Sequence, residues 1–372
     1  MTAICFLEPN LSLIHIPPAV FPHFLHGILS LCTQCPAFFN LSLTPTSISV
    51  ICTEHEAERL FAPIVARLKA SGASIEAQRY LAMQIDGDGI SDGRKLLDLT
   101  QPLARAGVSI LFMTTYFADY VLVAAQEASK VKRVLLETDF VFEDLTQSFV
   151  SHTPGLLSSF ASPVITPKTR SRSTSRAADL ANAGGSVNEE LLKQSVEALV
   201  PHAGVNTLDF LRQCQVPVTL FKSIKLIMTG LRGPLSELLP TLTQVLLQET
   251  LPTFFSLTVA PETAPSLLLE PTLATLFGGP EKLLGAEADQ VLVPISLDLQ
   301  GLTTAGGSLG GYGIVCGVVE ELLGRVSQSR IEKCLVAEEL VMSYLSTVAT
   351  GNVLLLEEDL EYIGRDSECR MM

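Results

Sequence analysis

No histidine follows His202 in this 372-residue sequence. That absence decides the reading of GGSLG at 306–310, which fits G-x-S-x-G. A hydrolase built on that turn needs a histidine later in the chain, so its triad cannot close in the usual order. The CTQC pair at 32–35 has no second cysteine pair to complete a four-ligand site. Its surroundings are apolar, which favours a buried structural pair; His23 and His26 nearby are what keep a metal site open. There is no P-loop and no H-E-x-x-H. GDGISDG at 87–93 misses G-x-G-x-x-G by one residue and lacks the βαβ context of a dinucleotide site. Asp86, Asp88 and Asp92 do not have EF-hand spacing. No catalytic constellation, cofactor motif or metal set emerges, and the chain reads as non-enzymatic.

Charge is also scarce, at 17% of residues, and what there is leans acidic: 39 Asp and Glu against 25 Lys and Arg, a net −14. Such a surface repels nucleic-acid backbones and anionic lipid, so no nucleic-acid partner is expected. Residues 9–53 carry no Asp, Glu, Lys or Arg. Pro17, Pro18, Pro22, Pro36 and Pro45 interrupt the stretch, as do three histidines, so it reads as buried strands and a helix rather than a membrane span. The N-terminus MTAICFLEPN lacks the basic region of a secretory signal. The eight cysteines show no framework spacing. A cytoplasmic location is expected. At 47% hydrophobic residues and a mean hydropathy of +0.37, the chain has ample material for large cores.

What the sequence does have is a repeat. PAFFNLSLTP at 36–45 returns as PTFFSLTVAP at 252–261, 216 positions on (252 − 36). The match reads without a gap to Phe61 and Phe277, with identities including Phe38/Phe254, Leu41/Leu257, Glu54/Glu270 and Phe61/Phe277. A second, looser match lays TTYFADYVLV (114–123) over STVATGNVLL (346–355), 232 apart (346 − 114), with Thr115/Thr347, Val121/Val353 and Leu122/Leu354 identical. Repeats on this scale mean a supersecondary unit used more than once. The order is A–B–linker–A′–B′.

Each unit reads as strand–helix–strand–strand–helix–strand. ICFLEPNLSLIHI opens unit one as an apolar strand, and HEAERLFAPIVARLKASG is an amphipathic helix stopped by Gly72. The strand YLAMQID, the helix GRKLLDLTQPLARAG and a hairpin around Phe117–Ala118 make unit two. The expected fold class is α+β: four ferredoxin-like βαββαβ modules in tandem, antiparallel sheets with helices on one face. Their ranges are 1–72, 73–145, 201–285 and 286–372. The Ser-, Thr- and Pro-rich stretch 146–200, with KTRSRSTSR at 168–176, is a flexible linker. Glycine loops follow the first strands of units two and four, at 87–93 and 303–313. Such loops let backbone N–H groups approach an anion at a helix start, which suits an amino-acid carboxylate; plain tight turns are the alternative.

Tandem βαββαβ units with a loop of this kind resemble ACT domains. FLEPNLSLIHIPP, FFNLSLTP, VSILFMTTYFADYVLV, GYGIVCGVVEELL and SYLSTVATGNVLLLEEDL together resemble the CASTOR family, cytosolic arginine sensors of the target-of-rapamycin pathway. The resemblance implies a non-catalytic homodimer with an amino acid held between units two and four. It also implies a GATOR-type regulatory complex as partner. Carried over residue by residue, the ligand positions are Val108 and Ser109, the loop Ser308, Gly310, Gly311, Tyr312 and Gly313, and Thr347, Val348 and Gly351. The loop and hairpin carboxylates of the family fall on Gly311 and Gly351, which makes arginine itself a doubtful ligand. Tyr116 and Asp119 match the family's partner surface at a hairpin tip, while Phe117 replaces a polar residue; two exposed rings there suit a contact surface, and rings folded into a core are the alternative. No cofactor, metal or membrane insertion is implied.

Overall fold

The computed structural model describes residues 2–34, 36–86, 93–138, 140–142, 211, 216–286, 290–300, 314–332 and 342–360. The stretch 146–200 and the glycine loops lie outside them.

The strands form two sheets. The first runs β5 (Ser74–Ile75), β2 (Leu11–Ile16), β4 (Ile48–Thr53), β3 (Phe39–Leu43), β12 (Phe255–Val259), β13 (Ser266–Leu269), β11 (Ile227–Leu231), β14 (Leu283–Leu284). The second runs β9 (Phe140–Phe142), β1 (Thr2–Phe6), β6 (Tyr80–Asp86), β8 (Ala118–Ala124), β7 (Ile110–Thr114), β16 (Met342–Ser346), β17 (Thr350–Leu356), β15 (Leu292–Asp298), β10 (Val218–Leu220). All pairings are antiparallel except β1 with β9. Single corner pairings, Leu11–Tyr80 and Leu226–Leu292, join the sheets into one closed ladder network. Four times, a strand, a helix and an antiparallel hairpin place the hairpin's second strand between the other two. This is the ferredoxin-type arrangement of ACT-like folds.

The sheets lie face to face, with helices outside each, so the molecule has four layers. Leu13, Ile51 and Leu268 from the first sheet meet Met113, Tyr120, Leu122 and Leu354 from the second in a buried middle core. On the outer face of the first sheet pack α1 (Leu25–Gln34), α2 (54–67), α5 (Leu239–Leu246) and α6 (Pro271–Leu276). On that of the second pack α3 (Gly93–Arg105), α4 (Ala128–Leu136) and α7 (Ile314–Glu332). Strands covered on both faces need apolar residues at successive positions, not alternate ones. That is why β8, reading ADYVLVA, and β17, reading TGNVLLL, are buried throughout.

Two expectations change. ICFLEPNLSLIHI is not one strand: the chain turns at Glu8–Pro9, where proline cannot continue a ladder, and its halves join different sheets. β1 pairs with β6 on one side and β9 on the other, so residues from the start of the chain sit inside the second sheet. VPVTLFKSIKLIMTG splits the same way into β10 and β11.

The repeat is not gapless either. Asn40 and Ser256 are 216 apart, yet their ladder partners Ile51 and Leu268 are 217 apart (268 − 51). The β12–β13 turn therefore holds one extra residue, and Glu262 in it has the positive φ of 59° that such a turn demands. The register is restored inside α2. Residues 57–61 form a π-turn, with the Ala62 N–H donating to the Ala57 carbonyl, which adds one residue to unit one. Buried Ala57 and Ala274 are 217 apart (274 − 57), whereas buried Phe61 and Phe277 are again 216 apart (277 − 61).

Both repeats meet their own copies. Leu41 pairs with Leu257, and Met113 with Leu345. Each pair joins a residue to its equivalent in the other half, so a pseudo-twofold axis passes through both points. The axis through β3–β12 carries a buried polar cluster. Asn40 Nδ2 donates to Ser256 Oγ (3.1 Å) and Thr258 Oγ1 (2.9 Å), and Ser42 Oγ donates to Asn40 Oδ1 (2.8 Å).

Candidate functional site

The sequence places its ligand between units two and four, and the structure brings those units together along β7 and β16. Phe112 N–H donates to Ser346 Oγ and Tyr344 N–H donates to Thr114 Oγ1, each at 3.0 Å. These bonds are symmetry mates: hydroxyls stand in for carbonyls on both sides of Met113–Leu345. The pairing ends with β16 at Ser346, where the chain turns and Thr347 N–H donates to the Thr350 carbonyl.

The predicted ligand residues fare differently. Val108 is buried and ends α3 in a Schellman motif. Its N–H donates to the Leu103 carbonyl, Gly107 donates to Ala104, and Gly107 has φ 64°. Its side chain belongs to the helix-side core, while Ser109 beside it is exposed. Thr347 is buried, and its hydroxyl is used by its own turn: it meets Thr350 Oγ1 at 2.8 Å and accepts from Thr350 N–H at 2.9 Å. Thr44 and Thr115 accept from the matching N–H in their own hairpins, and their hydroxyls donate to the Ser47 and Ala118 carbonyls. Val348 is half-buried against the middle core. Ser308, Gly310, Gly311, Tyr312 and Gly313 lie outside the described residues.

At the hairpin tip of unit two the rings follow the alternative reading and pack inward. Tyr116 and Phe117 are half-buried, stacked edge to face at 5.0 Å, and wedged against unit three. A Cβ on Gly230 would lie 2.4 Å from Phe117 Cζ, and one on Gly285 2.5 Å from Tyr116 Cε2. Glycine at both places is what lets the rings seat, and Gly285 also needs its φ of 73°. Asp119 is buried in β8.

Sequence reasoning missed Tyr344. Its ring is fully buried edge to face with Phe112 at 6.4 Å, and its hydroxyl has no hydrogen-bond partner among the described residues. Burial pushes its pKa up, so the group stays a neutral phenol. A Cβ on Gly351 would lie 2.6 Å from that hydroxyl. The 232-residue offset was the available signal: it equates Tyr344 with Phe112 and Gly351 with Asp119.

Among the described residues no group of His, Cys, Asp and Glu is arranged to hold a metal ion. Cys32 is buried with its thiol pushed up to about 12, His23 and His26 face solvent, and Cys35 lies outside the described residues. Unit three carries a surface cleft of about 180 Å³ lined by Arg232, Gly233, Glu237, Glu281 and Lys282, well removed from the pseudo-axis at the β14 edge. No helix among the described residues is long and apolar enough to cross a membrane.

The comparisons bear on unit two. A family model described as "ACT domain" matches residues 76–137. No curated protein matches the chain. Among solved structures, an aspartate kinase from Synechocystis aligns at 10% identity over 97% of this chain and 54% of its own, with a TM-score of 0.30. This chain thus spans about half that enzyme's length. The ligand-free regulatory subunit of aspartate kinase from Thermus thermophilus aligns at 14% identity over 36% of this chain and 95% of its own, with a TM-score of 0.29. An ACT domain is thus present in unit two, and it supplies one side of the β7–β16 seam.

Proposed function

We propose that this chain is a non-catalytic regulator that responds to a small amino-acid-type ligand at the β7–β16 seam. The observation that carries the reading is that the ACT match covers the unit whose edge strand β7 pairs with β16 of its own copy. In this reading all four units are ACT modules. Ligand favours one arrangement of the two halves through its differential affinity for them. The finer reading rests on the sequence resemblance: a cytoplasmic role in target-of-rapamycin signalling, a GATOR-type partner complex, and a homodimer. Arginine is a weak choice of ligand with Gly351 at the hairpin position.

The test is a thermal-shift and calorimetric screen of the intact chain against the proteinogenic amino acids. At least one should raise the melting temperature and give saturable heat, since a ligand at 100 times its Kd adds about 2.7 kcal/mol to stability. No response to any of them refutes the sensing role.

A second reading, a constitutive interaction scaffold with a closed seam, is favoured by the Thr347 hydroxyl being consumed within its own turn. It predicts partner capture from native cells that is indifferent to amino-acid supply.

A further inference from the structure

The two outer helical layers differ in charge. Over the second sheet, α3 carries Asp98 and Arg105, α4 carries Lys130, Lys132 and Arg133, and α7 carries Glu320 and Glu321. Over the first sheet, α1, α5 and α6 contain no Asp, Glu, Lys or Arg. A helix that faces water normally carries charge on its outward stripe. At 17% charged residues, three such helices would hold several. Their exposed positions hold instead His26, Thr33, Pro240, Gln244 and Thr272. Leu276 on α6 is 47% exposed, and Leu247 just past α5 is 61% exposed. Charge returns at the margins, with Glu58, Arg59 and Arg67 on α2 and with Glu237, Glu281 and Lys282 on the far flank. Depletion of charge at the centre, inside a polar rim, is the composition of a protein–protein contact.

Charge and symmetry name the occupant. α1 and α5 are the first helices of units one and three, and they lie side by side over the β3–β12 seam. The pseudo-axis through Leu41–Leu257 runs between them. A second copy turned onto this face presents the same uncharged patch, as a closed twofold contact between identical chains requires. A net charge of −14 drives copies of this chain apart wherever their charged surfaces would meet. On α1, α5 and α6 that repulsion is least. A strongly basic or acidic partner would gain nothing there, because the centre of the face offers it no counter-charge.

We propose that the uncharged face of α1, α5 and α6 is where this chain binds a second copy of itself. The contact is made through the helices of the first sheet and uses neither strand seam. This inference rests on the homodimer of the proposed function and adds the surface that forms it.

Sedimentation equilibrium of the full chain tests it, with the wild type, Gln244→Glu/Leu247→Glu, Leu276→Glu, and Leu136→Glu as the control on α4 of the opposite layer. All four positions are exposed, so the variants keep the fold, which circular dichroism checks. The wild type dimerises. Gln244→Glu/Leu247→Glu raises the dissociation constant about a hundredfold or more, since a carboxylate buried at a contact without a partner is strongly disfavoured. Leu276→Glu moves it the same way, and Leu136→Glu leaves it unchanged. Added salt tightens the wild-type dimer, because it screens the repulsion between copies and there are no central ion pairs to weaken. A dimer that Leu136→Glu breaks while the α5 and α6 variants spare it, or one that salt loosens, overturns the inference and leaves a homodimer through another surface. A wild type that stays monomeric at every concentration overturns the homodimer reading as well, and the amino-acid screen still decides the sensing role by itself.

Discussion

Single residues show how tightly the two sheets are fitted. At Gly230 a methyl group would meet two aromatic rings, at 2.4 Å from Phe117 and 2.7 Å from Tyr116. Gly230→Ala should cost about 1–3 kcal/mol by overpacking, read by urea denaturation. Trimming the ring with Phe117→Leu in the same chain should recover part of that loss; strict additivity would show that the wedge is not the cause. The place of Gly230 is taken in unit one by His15, since His15 pairs with Ser49 and Gly230 with Ser266, again 217 apart (266 − 49). His15 is half-buried, its Nδ1 3.3 Å from Ser47 Oγ, and burial holds its pKa below the ordinary 6.5. A depressed histidine pKa means the unfolded chain takes up the proton first. Stability from this group is therefore intact above pH 6.5 and falls as the pH drops below it. Replacing it as His15→Gln should flatten that part of the stability curve between about pH 7 and 5; an unchanged slope would assign the effect elsewhere. The thiols of Cys32 and Cys52 are pushed up by burial, that of Cys52 further by the Glu56 carboxylate. Since only a thiolate attacks, both should resist alkylation in the native protein and react readily in urea.

Secondary elements explain what the letters did and did not reveal. Helices with clear stops were legible: α3 ends where Gly107 was expected to end it, and α2 leads to Gly72 in the left-handed region. The hairpins were legible too, since Thr44, Thr115 and Thr347 close them alike. The assignment of strands to sheets was not. Two apolar runs separated by a few residues look the same whether they continue one strand or enter two layers, and only pairing distinguishes them. Nor could a gapless match reveal an extra turn residue in one copy cancelled by a π-turn in the other. At the candidate site, Ser109 is exposed just before β7, and Thr347 serves its own turn. Tyr344 escaped notice because an unpaired hydroxyl is a property of packing, not of sequence. The β3–β12 seam makes its own prediction. Asn40 bridges Ser256, Thr258 and Ser42 where every partner is buried. Asn40→Ala should cost about 1–3 kcal/mol, because it leaves buried hydroxyls short of partners. Amide exchange should rise in Phe39–Leu43 and Phe255–Val259 together; a rise in one strand alone would mean the seam is not cooperative.

The whole molecule is a pair of pairs. Each half supplies one edge strand to each sheet, and both seams close within one chain. Neither seam needs a second copy to complete it, so a midpoint that climbs with protein concentration would report the proposed homodimer and not the seams. In the proposed sensing role, a ligand at the β7–β16 seam would act where the halves meet, and the Tyr116–Phe117 wedge would carry any shift of β7 and β8 to β11 of unit three. Hydrogen exchange of the intact chain, with and without a saturating mixture of amino acids, tests this most directly. The account predicts slowed exchange concentrated in Ile110–Thr114 and Met342–Ser346, with a smaller change at Ile227–Leu231. An unaltered seam, or protection confined to the cleft at Arg232 and Lys282, would contradict it.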